Sequence, residues 1–184
     1  MKKMIDLTLE LSEAREQFKG LHHLGTHIDI MDTGGLAPER FISKCHLIQV
    51  VNIFDREIQL GETGLSAIEI EKGDSIIFHT GWMKKYFKTD QYFKDHAYIS
   101  FEIIQYLISK QVNLIGIDAP GIRRTTGEHK HYDMDVLCSQ SGVFNLENLC
   151  CIEKIEQTEF KLYCFPLSDA KSTGTTCRVI AEME

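Results

Sequence analysis

Residues 98–118 read Tyr98-Ile-Ser-Phe-Glu-Ile-Ile-Gln-Tyr-Leu-Ile-Ser-Lys-Gln-Val-Asn-Leu-Ile-Gly-Ile-Asp118, and two periodicities meet inside them. Ile99, Ile103, Tyr106, Leu107 and Lys110 recur at three- and four-residue spacing, which predicts a helix over Tyr98–Lys110. Ser100 and Glu102 come early and Lys110 late, the order that the helix dipole prefers. The helix runs straight into the apolar strand Val112–Asp118, and an earlier apolar run, Asp74–His79, precedes it. Strand, helix and strand in that order imply a crossover and a local parallel pair. Five more stretches are rich in β-branched or large apolar residues and read as strands: Ile5–Leu11, Leu21–Asp29, Cys45–Ile53, Phe160–Phe165 and Cys177–Ala181. That is more strand than a doubly wound fold requires. The expectation is one mixed α/β domain over residues 1–184 with more sheet than helix.

Composition narrows the function classes. A chain of 184 residues with 43% hydrophobic and 26% charged residues can bury one sizeable core. With only three prolines, no linker tract stands out. A net charge of -7 argues against a nucleic-acid or acidic-membrane surface, because phosphate binding needs clustered Lys and Arg. The short basic pairs Lys84-Lys85 and Arg123-Arg124 read as solvated surface. Acidic Asp6 comes too early for a secretory signal and no apolar run is long enough to span a bilayer, so a cytoplasmic location is expected. The six cysteines form no CxxC pair and read as small core residues.

The chemistry concentrates in His23-Leu-Gly-Thr-His-Ile-Asp29. In an extended strand His23, Gly25, His27 and Asp29 share one face, and the glycine leaves room between the imidazoles. Two imidazoles and a carboxylate around open space suit a divalent transition metal. A straight strand, however, holds positions 23 and 27 about 13 Å apart, whereas metal ligands bond at about 2.0–2.2 Å. Either the chain bends at Gly25-Thr26, or two neighbouring metals share Asp29.

A second cluster holds Glu128, His129, His131, Asp133, Asp135 and Glu147. If residues 132–139 are helical, His131 and Asp135 lie four apart on one face, and either could complete a metal shell begun by residues 23–29. Glu147 ends a short apolar run and suits a ligand or a general base. Trp82, the single tryptophan, could wall an aromatic substrate pocket or pack in the core. His46 reads as a satisfied structural histidine and His96 as surface or cap.

Six motifs in chain order carry a resemblance: the His23–Asp29 stretch, His79-Thr-Gly-Trp82, Gly116-Ile-Asp-Ala-Pro120, Glu147-Asn-Leu149, Phe165-Pro-Leu167 and Arg178-Val-Ile-Ala181. Together they resemble the kynurenine formamidase-like cyclase family of metal-dependent hydrolases. The resemblance implies a swivelling β/β/α fold, a homodimer or larger homo-oligomer, and zinc or manganese as one or two ions. It implies a small-molecule substrate as well: an amide such as N-formylkynurenine, or a cyclic amide such as isatin. By position it makes His23, His27 and Asp29 metal ligands, with Asp29 a bridge, and Glu147 a further ligand. Two positions depart from the family pattern. Thr33 stands where the family has its catalytic histidine, and Asp135 where it has a histidine twelve residues before the late glutamate. An aspartate there is a harder ligand that favours manganese, and His131 could substitute one helical turn earlier. The expected activity is metal-dependent hydrolysis of a small amide, imide or lactone by metal-activated water, arylformamidase-like, with Glu147, His131 and Thr33 at the catalytic positions. The alternative is a non-catalytic metal or small-molecule binding protein on the same scaffold.

Overall fold

The computed structural model describes residues 2–17, 23–31, 36–124, 131–167 and 173–184, with the backbone alone at 15–17 and 131–132. In chain order the strands are β1 (Lys3–Asp6), β2 (His27–Asp29), β3 (Ile42–Gln49), β4 (Glu57–Ile58), β5 (Ser75–His79), β6 (Tyr98–Ile99), β7 (Leu114–Ile117), β8 (Phe144–Glu147), β9 (Glu159–Pro166) and β10 (Gly174–Met183). The helices are α1 (Leu11–Gln17), α2 (Trp82–Tyr86), α3 (Phe101–Ser109) and α4 (His131–Gln140).

The main sheet closes on itself. Its order is β1-β10-β2-β8-β7-β5-β3-β9, and β9 also pairs with β10, so every strand but β1 belongs to a ring of seven. The quartet β3, β5, β7 and β8 is parallel. The remaining contacts of the ring, β3–β9, β9–β10, β10–β2 and β2–β8, are antiparallel. β10 is long enough to pair with β2 through Gly174–Thr176 and with β1 through Ile180–Met183. The result is the mixed, sheet-rich α/β domain expected, with the predicted parallel pair at β5–β7.

Strand alternation splits the core in two. Cys45, Leu47, Ile77, Leu114, Leu146, Leu162, Cys164 and Val179 point into the barrel and pack together. Their neighbours Ile48, Ile76, Phe78, Ile115 and Ile117 point outward, where Ile103, Ile104 and Leu107 of α3 cover them. Parallel strands buried on both faces read as the continuous apolar runs seen in the sequence. The Ser100 hydroxyl caps α3 by accepting from Ile103 N at 3.2 Å.

Several boundaries differ from the sequence reading. The helix starts at Phe101, because Tyr98 and Ile99 pair with Glu57 and Ile58 in a two-residue ladder. The first strand covers Lys3–Asp6, and Leu11 opens α1. Arg123 is not solvated surface: it is 5% exposed, with its guanidinium on Glu57 Oε1 at 2.5 Å and on the Ile99 carbonyl at 2.8 Å. His96 is buried, with Nδ1 2.9 Å from the Ala97 carbonyl. His46 is structural, as expected, with Nε2 2.9 Å from Asp74 Oδ2. All six cysteines are free, and Cys45, Cys138, Cys164 and Cys177 are buried. No helix among the described residues is long and apolar enough to cross a membrane.

The carboxyl ends of the parallel quartet lie along one rim, where α/β sheets commonly bind ligands. Glu147 ends β8, His79 ends β5, and Asp118 follows β7.

Candidate metal centre

The predicted strand through residue 29 is short. Among its described residues only His27–Asp29 forms a strand, because Gly25 sits at φ +64, a conformation open to glycine and strained for other residues. That turn is the bend expected at Gly25-Thr26. It brings the His23 and His27 ring centroids to 4.7 Å. Thr26 holds the turn in place: its hydroxyl donates to the Asn148 carbonyl at 2.7 Å and accepts from Leu9 N at 2.8 Å.

β8 supplies the facing residues. His27 is opposite Glu147 and Asp29 is opposite Asn145 in the antiparallel register. Directly opposed residues project to the same face, so Glu147 joins the histidine. Asp135, on α4, is tied to the same strand by Asn145 Nδ2, which donates to its Oδ1 at 2.7 Å. Donor atoms of His23, His27 and Asp29 lie within 4.8 Å of one another, and so do those of Asp29, Asp135 and Glu147. Asp29 belongs to both sets.

The hydrogen bonding orients these donors inward. His27 Nδ1 is 2.8 Å from the Gly25 carbonyl, which can only accept, so Nδ1 carries a proton and Nε2 is the nitrogen turned inward. That Nε2 stands 3.4 Å from Asp29 Oδ1 and 3.6 Å from Glu147 Oε2. These separations are too long for charge-assisted hydrogen bonds. Two ligands of one tetrahedral ion, bound at about 2.1 Å, would stand about 3.4 Å apart. His27 Nε2 and Asp29 Oδ2 are buried with no hydrogen-bond partner among the described residues. Glu147 Oε1 accepts from Ile122 N at 3.0 Å, which leaves Oε2 facing the histidine. The donor set therefore fits a divalent cation.

Electrostatics point the same way. Burial, followed by the charges of Asp29 and Asp135, pushes the Glu147 carboxyl well above its usual range. Burial and then the Asp29 charge push Asp135 up to about 9. Burial also works against ionised Asp29, but the His23 and His27 imidazoles outweigh it and hold that carboxyl below the usual range. Three buried carboxyls this close repel one another as anions, and a divalent cation among them would offset that repulsion.

The other expected site residues lie as follows. Trp82 is 1% exposed and packs in the outer core, with ring centroids 4.1 Å from Tyr86 and 5.5 Å from Phe54. Its indole N–H donates to the Tyr92 carbonyl at 2.8 Å, so it supports the site from behind and presents no open face to a substrate. Thr33 lies outside the described residues, as does the His131 side chain, although the His131 backbone begins α4.

Sequence reading missed four supporting residues. Asn148, at φ +58, accepts from the Tyr92 hydroxyl at 2.6 Å through Oδ1 and places Nδ2 3.4 Å from His27 Nδ1. Thr173 and Gly174 flank the His23 ring. An isolated glycine at the head of a strand pattern was the available signal for close backbone approach at 174.

Comparison with known proteins agrees with this architecture. Isatin hydrolase A from Ralstonia solanacearum superposes with a TM-score of 0.83 at 16% identity, covering 100% of this chain and 92% of its own. Isatin hydrolase A from Labrenzia aggregata, bound to benzyl benzoate, gives 0.81 at 18% identity over 99% and 94%. A predicted metal-dependent hydrolase from Bacillus stearothermophilus gives 0.74 at 21% identity over 99% and 98%. No curated protein matches the sequence. The family model described as putative cyclase matches residues 5–124, a span that holds the His23–Asp29 stretch, His79-Thr-Gly-Trp82 and Gly116–Pro120. With well over half of its length matched, the chain belongs to the putative cyclase family.

Proposed function

We propose that this protein is a metal-dependent hydrolase of a small amide, imide or lactone. The observation that carries the reading is the inward-facing His27 Nε2, buried 3.4 Å from one carboxylate oxygen and 3.6 Å from another. His23, His27, Asp29, Asp135 and Glu147 would hold zinc or manganese, as one ion or two. When bound, such a cation supplies Lewis acidity that acidifies water and polarises a carbonyl. The chain supplies the rest. Ile122 N–H fixes one Glu147 oxygen and leaves the other to take a proton. Thr33 is no base near neutral pH, which leaves proton transfer to Glu147, Asp32 or His131. His27 and Asp29 are buried, whereas the His23 side chain is 27% exposed, which makes His23 the more solvent-accessible of the three. Two of the similar structures are isatin hydrolases, and isatin is a cyclic amide, the class proposed here.

The test is metal analysis of purified protein, then turnover of isatin, N-formylkynurenine and simple lactones after chelation and after adding back zinc or manganese. Turnover that returns with metal supports the reading, and metal-loaded protein inert on all three classes contradicts it. Thr33 favours a second reading, a non-catalytic binding protein on the same scaffold. Activity appearing only in Thr33→His would select that alternative.

A further inference from the structure

We propose that Thr173 and Gly174 dock the His23 ring so that His23 ligates through Nδ1 while His27 ligates through Nε2. The inference rests on the metal-binding reading above and assigns roles to two residues outside the ligand set. His23 Nδ1 is 3.0 Å from Asp29 Oδ1, inside the centre, and His23 Nε2 is 3.0 Å from Thr173 Oγ1, on the far side of the ring. His27 is turned the other way, with Nδ1 on the Gly25 carbonyl and Nε2 inward. The two imidazoles thus offer opposite nitrogens to one space.

The partners differ in kind. A carbonyl accepts only, so the His27 tautomer is fixed whether or not a cation is bound. A hydroxyl both donates and accepts. Without a cation, the ring proton can sit on His23 Nδ1, 3.0 Å from Asp29 Oδ1, and the Thr173 hydroxyl then donates to Nε2. With a cation on Nδ1, the ring proton sits on Nε2 and the same hydroxyl turns to accept it. Thr173 is itself stapled to the exit of β2, because its carbonyl accepts from Ile30 N at 2.8 Å and Met31 N at 3.3 Å. Gly174, opposite Asp29 in the β10–β2 register, provides the clearance. A Cβ at 174 would stand 2.7, 2.8 and 2.9 Å from His23 Cδ2, Nε2 and Cγ, so any side chain there displaces the ring. Thr173 and Gly174 are positioning residues, acting on the cation only through His23. Outer partners of this kind typically change metal affinity by about 10–100-fold.

The experiment is nitrogen NMR of histidine-labelled protein, zinc-free and zinc-loaded, with zinc affinities of Thr173→Val, Thr173→Ser and Gly174→Ala. In zinc-loaded wild type, His23 is expected to show a metal-bound Nδ1 and a protonated Nε2, and His27 the reverse. Thr173→Val should lose about 10–100-fold in zinc affinity, and Thr173→Ser, which keeps the hydroxyl, should restore it. Gly174→Ala, folded by circular dichroism, should lose the metal-bound His23 signal and keep that of His27. His23 bound through Nε2 or left unbound overturns the inference alone, as does wild-type affinity in Thr173→Val or an unchanged His23 signal in Gly174→Ala. Wild-type protein that takes up no zinc overturns both this inference and the functional reading beneath it.

Discussion

His27 and Glu147 face each other across the β2–β8 ladder, register partners with Nε2 and Oε2 3.6 Å apart. They are 120 residues apart in sequence, and the barrel alone brings them together. Antiparallel pairing puts both side chains on one face, the Gly25 carbonyl turns the imidazole, and the Ile122 amide turns the carboxylate. Each group is oriented by backbone, which moves less than side chains, so the distance between them is a property of the fold.

A centre built from mutually repelling buried carboxyls should be stabilised by the cation that resolves the repulsion. Zinc or manganese at about 100 times its dissociation constant adds about 2.7 kcal/mol. For a chain of this size that corresponds to a rise in melting temperature of about 5–10 °C. Thermal unfolding with chelator and with added metal measures it. Equal melting temperatures would mean that the folded state gains nothing from the ion.

Glu147→Gln separates the charge of this residue from its shape. Glutamine matches a neutral carboxyl in size and still accepts from Ile122 N, so the metal-free variant should melt within about 2 °C of wild type. Its metal affinity should fall at least a hundredfold, about 2.7 kcal/mol, because an anionic ligand is gone. Calorimetric titration with zinc, alongside melting of the metal-free form, reads both. A variant destabilised without metal and unchanged in affinity would make Glu147 structural.

The outer layer was legible where one periodicity ran long enough. α3 and the strands β5 and β7 emerge from residues 74–118 because their apolar residues repeat locally. Closure of the barrel was not legible, since the alternation of β9 and β10 suits an open sheet equally well. Arg123 was misread for a related reason: its partners Glu57 and Ile99 belong to a two-residue ladder too short to leave a pattern. At the centre, residue types gave His23, His27 and Asp29, and the geometry of a straight strand demanded either a bend or two ions. The supports Asn148, Thr173 and Gly174 act from 121 to 151 residues away from the histidines they touch, where no local spacing records them.

Gly25→Ala tests the bend. A left-handed alanine costs about 1–2 kcal/mol, and its Cβ would stand 3.2 Å from Ala14 Cβ, tighter than ordinary packing. The variant should lose that much stability in denaturant unfolding. It should also lose metal affinity beyond the stability cost, because straightening residue 25 parts the two imidazoles. Full metal affinity in a destabilised variant would show that the ring positions are set elsewhere.

Tyr92→Phe tests the support behind His27. The Tyr92 hydroxyl donates to Asn148 Oδ1 at 2.6 Å in a fully buried setting. Removing it leaves the amide oxygen short of a donor, at a cost of about 1–3 kcal/mol. Phenylalanine keeps the ring packing against Phe87 and Phe93 and keeps the backbone carbonyl that receives the Trp82 indole. The loss is therefore confined to Asn148, whose carbonyl accepts from the Thr26 hydroxyl in the turn that places His27. Zinc affinity should fall, by less than in Glu147→Gln, because His27 keeps its bond to the Gly25 carbonyl. Tyr92→Phe equal to wild type in both unfolding and zinc titration would show that Asn148 is held by its main-chain bonds to Ala119 and Thr26 alone.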